Sequence, residues 1–318
     1  MTRHFLTASL NVALAAALTA VLLASRARTS GCGAVGLTSG SYTTVHNGLK
    51  RVYRVYVPPG YNRHVPSRMA LVFHGWSGTE DEFLNDSAIV NEAGRRGYIL
   101  VAPRSQGSGL ADKSNNSWTF RGSATGHDGD GVNRKILSDT DATCDATVTP
   151  DYRYSSCKTG SARNTCSWTQ CQDVDVDFTL ALVRRIESKL SVDHTHVFAT
   201  GGSNSGMFVW ELGQNPLMAP LFRAIAPVVG LPHRAYLDGP GKKARMPVLL
   251  ITGLADDVVP PGAWDYDAFT TTSNAHDRFY YTGATAITKR WAAAAGCDTS
   301  GMADSIMLAT VRRHKATL

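Results

Sequence analysis

The chain has 318 residues, of which 43% are hydrophobic and 18% are charged, a composition typical of a globular protein rather than a disordered one. This length is enough for one large domain with a sizeable core. The formal net charge is +6, but the basic residues are scattered with no long run, so we expect no nucleic-acid partner.

The N-terminus has the features of a secretory signal. Arg3 precedes an uncharged and mostly apolar stretch, Phe5–Ala24, and small residues follow it. With cleavage at Ser25–Ala27, residues 1–27 are predicted to be the signal peptide and residues 28–318 the secreted catalytic domain. An uncleaved membrane anchor is the alternative, because the stretch is long enough to span a bilayer. After cleavage, no membrane association is expected.

Six cysteines follow this stretch, an even number that favours disulfides in an oxidising compartment. They are Cys32, Cys144, Cys157, Cys166, Cys171 and Cys297. Six cysteines allow 15 pairings, and the sequence does not choose among them. No pair has the C-x-x-C spacing of a zinc site, so no zinc is predicted.

The first predicted elements are strands. Asn47-Gly48 favours a tight hairpin turn, and the stretch Arg51–Tyr61 that follows it is rich in valine and tyrosine, so antiparallel strands are expected to open the sheet. Met69–Phe73 and Gly97–Pro103 are short, continuous apolar runs. Such runs are typical of strands that are buried on both faces of a parallel sheet.

Residues 105–171 have a different composition. They are poor in valine, leucine and isoleucine but contain four of the six cysteines. A segment with so few aliphatic residues is not expected to bury itself by hydrophobicity alone, so we predict a lid-like insertion held by disulfides. Its aspartates lack the glycine and the terminal glutamate of an EF-hand, so no calcium site is predicted at Asp128, Asp130, Asp139, Asp141 or Asp145.

Helices and strands alternate in the second half. Gln172–Leu190 has one apolar helical face, and Asp173, Asp175 and Asp177 at its start are interpreted as stabilisers of the helix dipole. Further strands are predicted at His196–Thr200, Ile225–Gly230 and Met246–Gly253, and further helices at Gly206–Leu212 and Ala286–Cys297. This alternation predicts an α/β fold with a mostly parallel sheet.

The sequence Gly-Gly-Ser-Asn-Ser-Gly, starting at Gly201, lies between a predicted strand and a predicted helix. A strand–turn–helix elbow raises one side chain above the carboxyl edge of a parallel sheet, which is how serine hydrolases present their nucleophile. Ser203 is at the apex of this turn and is the predicted nucleophile. Ser205 falls within the first turn of the helix and is the weaker choice, while Asn204 has no nucleophilic group.

Two further segments complete the predicted site. The strand that ends at Phe73 continues into His74-Gly75-Trp76, a loop whose Trp76 N–H is predicted to bind an oxyanion together with the N–H of Asn204. His74 is interpreted as a residue that positions this loop, not as the catalytic base. Asp256, just after the strand that ends at Gly253, is the predicted acid, with Asp257 as the alternative.

Four motifs together resemble the secreted esterase family of feruloyl esterases and poly(3-hydroxybutyrate) depolymerases, within the α/β-hydrolases. These motifs lie at Tyr53–Tyr61, His74–Trp76, Gly201–Met207 and Thr252–Pro260. The resemblance covers roughly Ser41 to Cys297, with the cysteine-rich insertion least alike. It implies an α/β-hydrolase fold and a secreted serine carboxylesterase with Ser203 and Asp256 as catalytic residues. Such an enzyme requires no cofactor and no metal.

The resemblance fails at the catalytic histidine. The family's base lies in a G-H-x-W-P-like turn after the helix that ends here at Cys297, and no such turn follows. His276 is interpreted as a surface residue, and His314 is a weak candidate for the base. The sequence therefore predicts a chain truncated at its C-terminus, with feeble activity and an unpaired Cys297.

The predicted substrate is an ester, in a plant cell-wall polysaccharide carrying feruloyl or acetyl groups or in a polyhydroxyalkanoate polyester. Two other interpretations remain. One is a catalytically impaired or non-enzymatic secreted binding protein of the same fold, because the base is not evident. The other is a peptidase of the same fold, which the esterase motifs disfavour.

Overall fold

A six-stranded sheet forms the centre of the molecule. The computed structural model describes residues 36–107, 115–124, 143–145, 154, 166, 168–170, 175–234, 236, 246–262, 270–271 and 278–300. The strands are β1 (Gly40–His46), β2 (Leu49–Tyr56), β3 (Ser67–Phe73), β4 (Tyr98–Pro103), β5 (Val192–Gly202) and β6 (Ala224–Val228). They lie in the order β1-β2-β4-β3-β5-β6, with β1 and β2 antiparallel to their neighbours and the rest parallel.

The predicted hairpin is confirmed at the start of this sheet. β1 and β2 pair in register from Gly40–Val55 to His46–Leu49. Asn47 and Gly48 between them have φ values of 49° and 77°. Positive φ at both central residues of a two-residue turn is the geometry that Asn-Gly adopts with the least strain.

Helices cover the sheet on both faces. They are α1 (Asp81–Leu84), α2 (Ser87–Arg96), α3 (Asp175–Glu187), α4 (Asn204–Gln214) and α5 (Ala284–Ala294), with a 3₁₀ turn at Ala219–Leu221. A separate two-stranded ladder pairs β7 (Thr270–Thr271) with β8 (Tyr280–Tyr281). Among the described residues, no helix has the length and apolar character needed to cross a bilayer.

Alternate residues of β3 and β4 face different cores, as expected for strands buried on both faces. Leu71 and Val101 belong to the larger core, which includes residues of α3, α4 and α5. Val72, Leu100 and Ala102 belong to a smaller core that includes residues of α1 and α2. The apolar runs of these two strands therefore predicted their burial correctly.

The segment after β6 is less buried than its composition predicted. It runs parallel to β6 through isolated bridges that join Ile225 to Val248 and Val228 to Ile251. However, Leu249 is 61% exposed and Ile251 is 48% exposed. Because this segment lies at the outer edge of the described sheet, no described layer covers these side chains.

The insertion contributes more to the core than predicted. Its described aromatic residues, Trp118, Phe120, Tyr154 and Trp168, are all buried. The prediction for this segment counted aliphatic residues and omitted aromatic ones, which bury the largest apolar surfaces. The expected disulfide is present, between Cys144 and Cys166. Cys157, Cys171 and most of the acidic residues considered for calcium lie outside the described residues.

The aspartates of α3 do more than stabilise its first turn. Asp175 is fully buried, accepting a hydrogen bond from Arg51 Nη2 at 2.6 Å and another from the Thr119 backbone N–H at 2.8 Å. The sequence-based interpretation of Asp175 was therefore incomplete, because its partners are distant in sequence. Asp177 bonds to His46, and Asp173 lies outside the described residues.

Replacing Arg51 by methionine should lower the free energy of unfolding by about 3–5 kcal/mol, since the change leaves a buried carboxylate without its counter-ion. Urea denaturation measures this loss. Adding Asp175→Asn should recover part of it, because the amide carries no charge and still accepts from Thr119. A double variant that is no more stable than Arg51→Met would contradict this explanation.

Candidate functional site

Ser203 occupies a strained turn between β5 and α4. Its φ and ψ are 57° and −121°, and α4 begins at the next residue. Its N–H donates to Val228 O on β6 at 2.9 Å, while its own carbonyl accepts from Met207 N at 3.1 Å. Positive φ is uncommon for a residue other than glycine and marks sites where the surrounding structure holds the backbone in place. This is the strand–turn–helix elbow that the sequence predicted.

Glycines allow the elbow to lie close to β6. A Cβ built on Gly206 would lie 2.6 Å from Val228 O, and one built on Gly230 would lie 2.5 Å from Ser203 O. Neither position has room for a side chain. Gly206 and Gly230 are therefore required as glycines, because backbone segments approach each other closely at both positions.

Ser205 has a structural role in this turn. It is fully buried, and its Oγ lies 2.6 Å from Phe73 O and 2.9 Å from Gly202 O, so the hydroxyl donates to backbone carbonyls at the ends of β3 and β5. The hydroxyl therefore ties the start of α4 to the ends of β3 and β5.

Replacing Ser205 by alanine should cost about 1 kcal/mol of stability, the usual net contribution of one hydrogen bond, and should leave Ser203 reactive. Thermal unfolding and labelling by a fluorophosphonate measure the two effects. A loss of labelling as complete as that caused by Ser203→Ala would mean that Ser205 is the nucleophile.

The loop after β3 lies beside the elbow. A Cβ built on Gly75 would be 4.0 Å from the Cβ of Ser203 and 3.6 Å from Gly202 O. Trp76 follows; the residue is 37% exposed, and its indole N–H donates to Tyr154 Oη at 3.3 Å. The two segments that carry the predicted oxyanion donors, Trp76 and Asn204, are therefore brought to the same serine.

His74 is held inside this loop by both ring nitrogens. Nδ1 donates to Gly75 O at 2.7 Å, and Nε2 accepts from the Ser105 N–H at 3.1 Å. Burial lowers the pKa of His74 to about 4, and the positive charge of Arg104 adds to this effect. A neutral imidazole with both nitrogens occupied orients the loop, in agreement with the sequence-based interpretation.

The loop that carries the predicted acid starts at the same edge of the sheet. The strand-like segment that ends near Ile251 is bonded to β6, and β6 is bonded to Ser203. Asp256 Oδ1 accepts from the N–H groups of Val258 and Val259, both at 2.9 Å. These two bonds fix the carboxylate in the loop. Asp257 is exposed.

The histidine predicted as the catalytic base is not among the described histidines. These are His46, His64, His74, His194, His196 and His233. No described residue forms a hydrogen bond with the Ser203 hydroxyl. His276 and His314, the two histidines that follow Asp256, lie outside the described residues.

His233 was not singled out from the sequence. It is fully buried; Trp168 Nε1 donates to its Nε2 at 2.9 Å, and its Nδ1 donates to Tyr280 O at 3.2 Å. Its ring stacks on Phe120 and Tyr281, and burial lowers its pKa to about 4. A histidine enclosed in this way holds the insertion against the rest of the molecule. No signal in the sequence marks it, because its partners come from distant segments.

Three features identify the fold: the order of the strands, the helices on both faces of the sheet and the strained serine between β5 and α4. The chain has the α/β-hydrolase fold. The fold predicted from the sequence is confirmed.

Among the described residues, no group of three or more histidine, cysteine, aspartate or glutamate side chains could hold a metal ion.

No protein-family model matches the chain, and no curated protein matches it significantly. Several solved esterase structures resemble it. A ferulic acid esterase from Anaeromyces mucronatus has a TM-score of 0.44 and 16% identity, over 74% of this chain and 79% of that one. An acetyl xylan esterase from Aspergillus awamori has a TM-score of 0.38 and 17% identity, over 61% and 53%. A thermostable esterase has a TM-score of 0.40 and 15% identity, over 70% and 48%. This chain covers about half the length of the last two, and likeness at this level assigns no activity.

Proposed function

We propose that the chain is a secreted carboxylic ester hydrolase that acts through a serine nucleophile. The observation that supports this most strongly is the backbone of Ser203, whose positive φ between a parallel strand and a helix is hard to explain by packing alone. The loop that follows β3 lies against the same serine. A half-buried serine hydroxyl at a strand–turn–helix elbow suits acyl transfer.

In the proposed reaction, Ser203 Oγ attacks the ester carbonyl as a histidine takes its proton. The N–H groups of Trp76 and Asn204 stabilise the oxyanion of the tetrahedral intermediate. The histidine then protonates the leaving alcohol, and water hydrolyses the acyl-serine by the same route. Asp256 holds the imidazole in the required tautomer and stabilises its positive form. These steps need no cofactor.

The proposed substrate class follows from the four family motifs. They suggest feruloyl or acetyl esters of plant polysaccharides, or polyhydroxyalkanoate esters. Secretion is proposed from the predicted signal at residues 1–27, and the Cys144–Cys166 disulfide supports it because such bonds persist in oxidising compartments.

Active-site labelling tests the proposal. The full chain is treated with a fluorophosphonate, and the adduct is mapped by mass spectrometry. Ser203 should carry it, and Ser203→Ala should carry none. Labelling of another serine, or of no serine, would refute the nucleophile. His276→Ala and His314→Ala, compared in methyl ferulate hydrolysis, then show which imidazole acts as the base.

A binding protein of the same fold is the second candidate. The observation that favours it is that no described imidazole contacts the Ser203 hydroxyl. Loss of one member of a catalytic triad typically costs 10⁴–10⁶ in turnover. A chain that binds feruloylated oligosaccharide, but hydrolyses it no faster than Ser203→Ala does, would establish this alternative.

A further inference from the structure

Trp118, from the cysteine-rich insertion, contacts both sides of the elbow. It is fully buried. Its indole Nε1–H donates to His74 O at 2.8 Å, at the start of the loop that carries Trp76. Its backbone N–H donates to Asn204 Oδ1 at 2.7 Å, and Asn204 Nδ2 donates back to Trp118 O at 3.2 Å. One residue therefore bonds to the two segments whose N–H groups are the proposed oxyanion donors.

The indole ring packs against the last residue of β3 and against α4. It lies edge-on to Phe73, the last residue of β3, with the ring centroids 5.0 Å apart. It stacks on Phe208 of α4 at 5.1 Å and an angle of 16°. A fully buried ring in such a setting has few rotamers available. β3 and α4 also meet directly, through the rings of Phe73 and Phe208 and the bond from Ser205 Oγ to Phe73 O. The Trp118 ring and its three hydrogen bonds add to these contacts the link that joins the loop after β3 to Asn204.

A second pair of bonds joins the insertion to the loop. Ser77 N donates to Asn116 O at 2.8 Å, and Asn116 Nδ2 donates to Gly78 O at 2.9 Å. The loop is thus held on both sides of Trp76 by residues 116–118. The insertion forms part of the support of the site at this point.

We propose that Trp118 is the positioning residue of the oxyanion hole. Its indole N–H and its backbone set the separation between the Trp76 loop and Asn204. This inference rests on the proposed esterase function. Oxyanion donors act only when they lie about 2.7–3.1 Å from the developing charge, and a displacement of about 1 Å can cost about 100-fold in rate. Trp118 is fully buried and out of reach of a bound ester, so its effect should fall on turnover and not on substrate binding.

Trp118→Phe tests this proposal. Phenylalanine keeps an aromatic ring against Phe73 and Phe208 but removes the bond to His74 O. Trp291→Phe is the matched control: Trp291 is also buried and its Nε1 donates to a backbone carbonyl, Met246 O at 3.0 Å, but it lies on α5. In nitrophenyl acetate hydrolysis, Trp118→Phe should lower kcat about 10- to 100-fold with KM within about threefold. Trp291→Phe should leave both constants within about threefold.

The inhibition constant of a transition-state analogue is a second measurement, and a general loss of stability would not change it. An aryl boronic acid forms a tetrahedral adduct with the serine, and one of its oxygens occupies the oxyanion position. Its inhibition constant should rise in Trp118→Phe by the factor by which kcat falls. If the unmodified chain hydrolyses the ester and binds the boronic acid, but Trp118→Phe matches Trp291→Phe in both, this inference alone is overturned. If the unmodified chain does neither, the esterase function fails and the inference fails with it.

Should Trp118→Phe not fold, Asn204→Ala makes the same test. It keeps the backbone N–H of residue 204 but removes both side-chain bonds to Trp118. A 10-fold or greater fall in kcat with a weaker boronate complex supports the inference, and an unchanged kcat overturns it.

Discussion

With His276 or His314 acting as the base, replacing Asp256 by asparagine is expected to lower kcat for a nitrophenyl ester by about 10⁴-fold. An amide in place of the carboxylate favours the wrong tautomer of the catalytic imidazole and no longer stabilises its positive charge. The loop itself should persist, because the amide oxygen can still accept from Val258 N and Val259 N. Steady-state kinetics together with unchanged thermal unfolding measure the effect on chemistry alone.

The neighbouring aspartate provides the control. Asp257→Asn removes the same charge one residue later, from an exposed side chain, and should change kcat less than about threefold. The opposite result, a large loss at Asp257 and a small one at Asp256, would move the acid to Asp257. Equal activity of both variants and the unmodified chain would remove the acid from this loop.

The local features of the fold could be predicted from the sequence because their determinants are close together in the chain. Asn47-Gly48 specifies its own turn, and the apolar runs of β3 and β4 specify strands buried on both faces. The elbow at Ser203 could be recognised because a strained turn needs small residues at fixed positions around it. Each of these signals lies within a few residues of the structure that it specifies.

The supporting contacts of the site could not be predicted in this way. Trp118 and Asn204 are 86 positions apart, Trp168 and His233 are 65 apart, and Arg51 and Asp175 are 124 apart. Each residue taken alone resembles an ordinary core or surface residue, and only the folded chain shows its partner. The composition of the insertion was misleading for a related reason, since a few large aromatic rings bury as much apolar surface as many aliphatic side chains.

Acid should unfold the protein through its two buried histidines. His74 and His233 both have a pKa of about 4 in the folded chain, mainly because burial disfavours the charged ring, while an unfolded histidine has a pKa of about 6.5. Between these values the unfolded chain binds more protons, so stability falls as the pH is lowered from about 6.5 to about 4. Each group contributes about 3 kcal/mol, and together they contribute on the order of 6 kcal/mol, which is comparable to the whole stability of many domains.

A variant at His233 separates this effect from the protonation of carboxylates, which also occurs below pH 5. Glutamine at this position can still accept from Trp168 Nε1 and donate to Tyr280 O but does not titrate, so His233→Gln should lose about 3 kcal/mol less than the unmodified chain between pH 7 and pH 4. His64→Gln, at an exposed histidine, should follow the unmodified chain. Urea unfolding at half-unit pH steps gives the free energy of unfolding against pH for the three proteins.

Because the comparison uses the slopes of these three curves, it is independent of the lower stability that His233→Gln is expected to have at pH 7 after losing its ring contacts. Parallel curves for His233→Gln and the unmodified chain would show that His233 keeps its ordinary pKa in the folded state, and the acid sensitivity would then have to come from other groups.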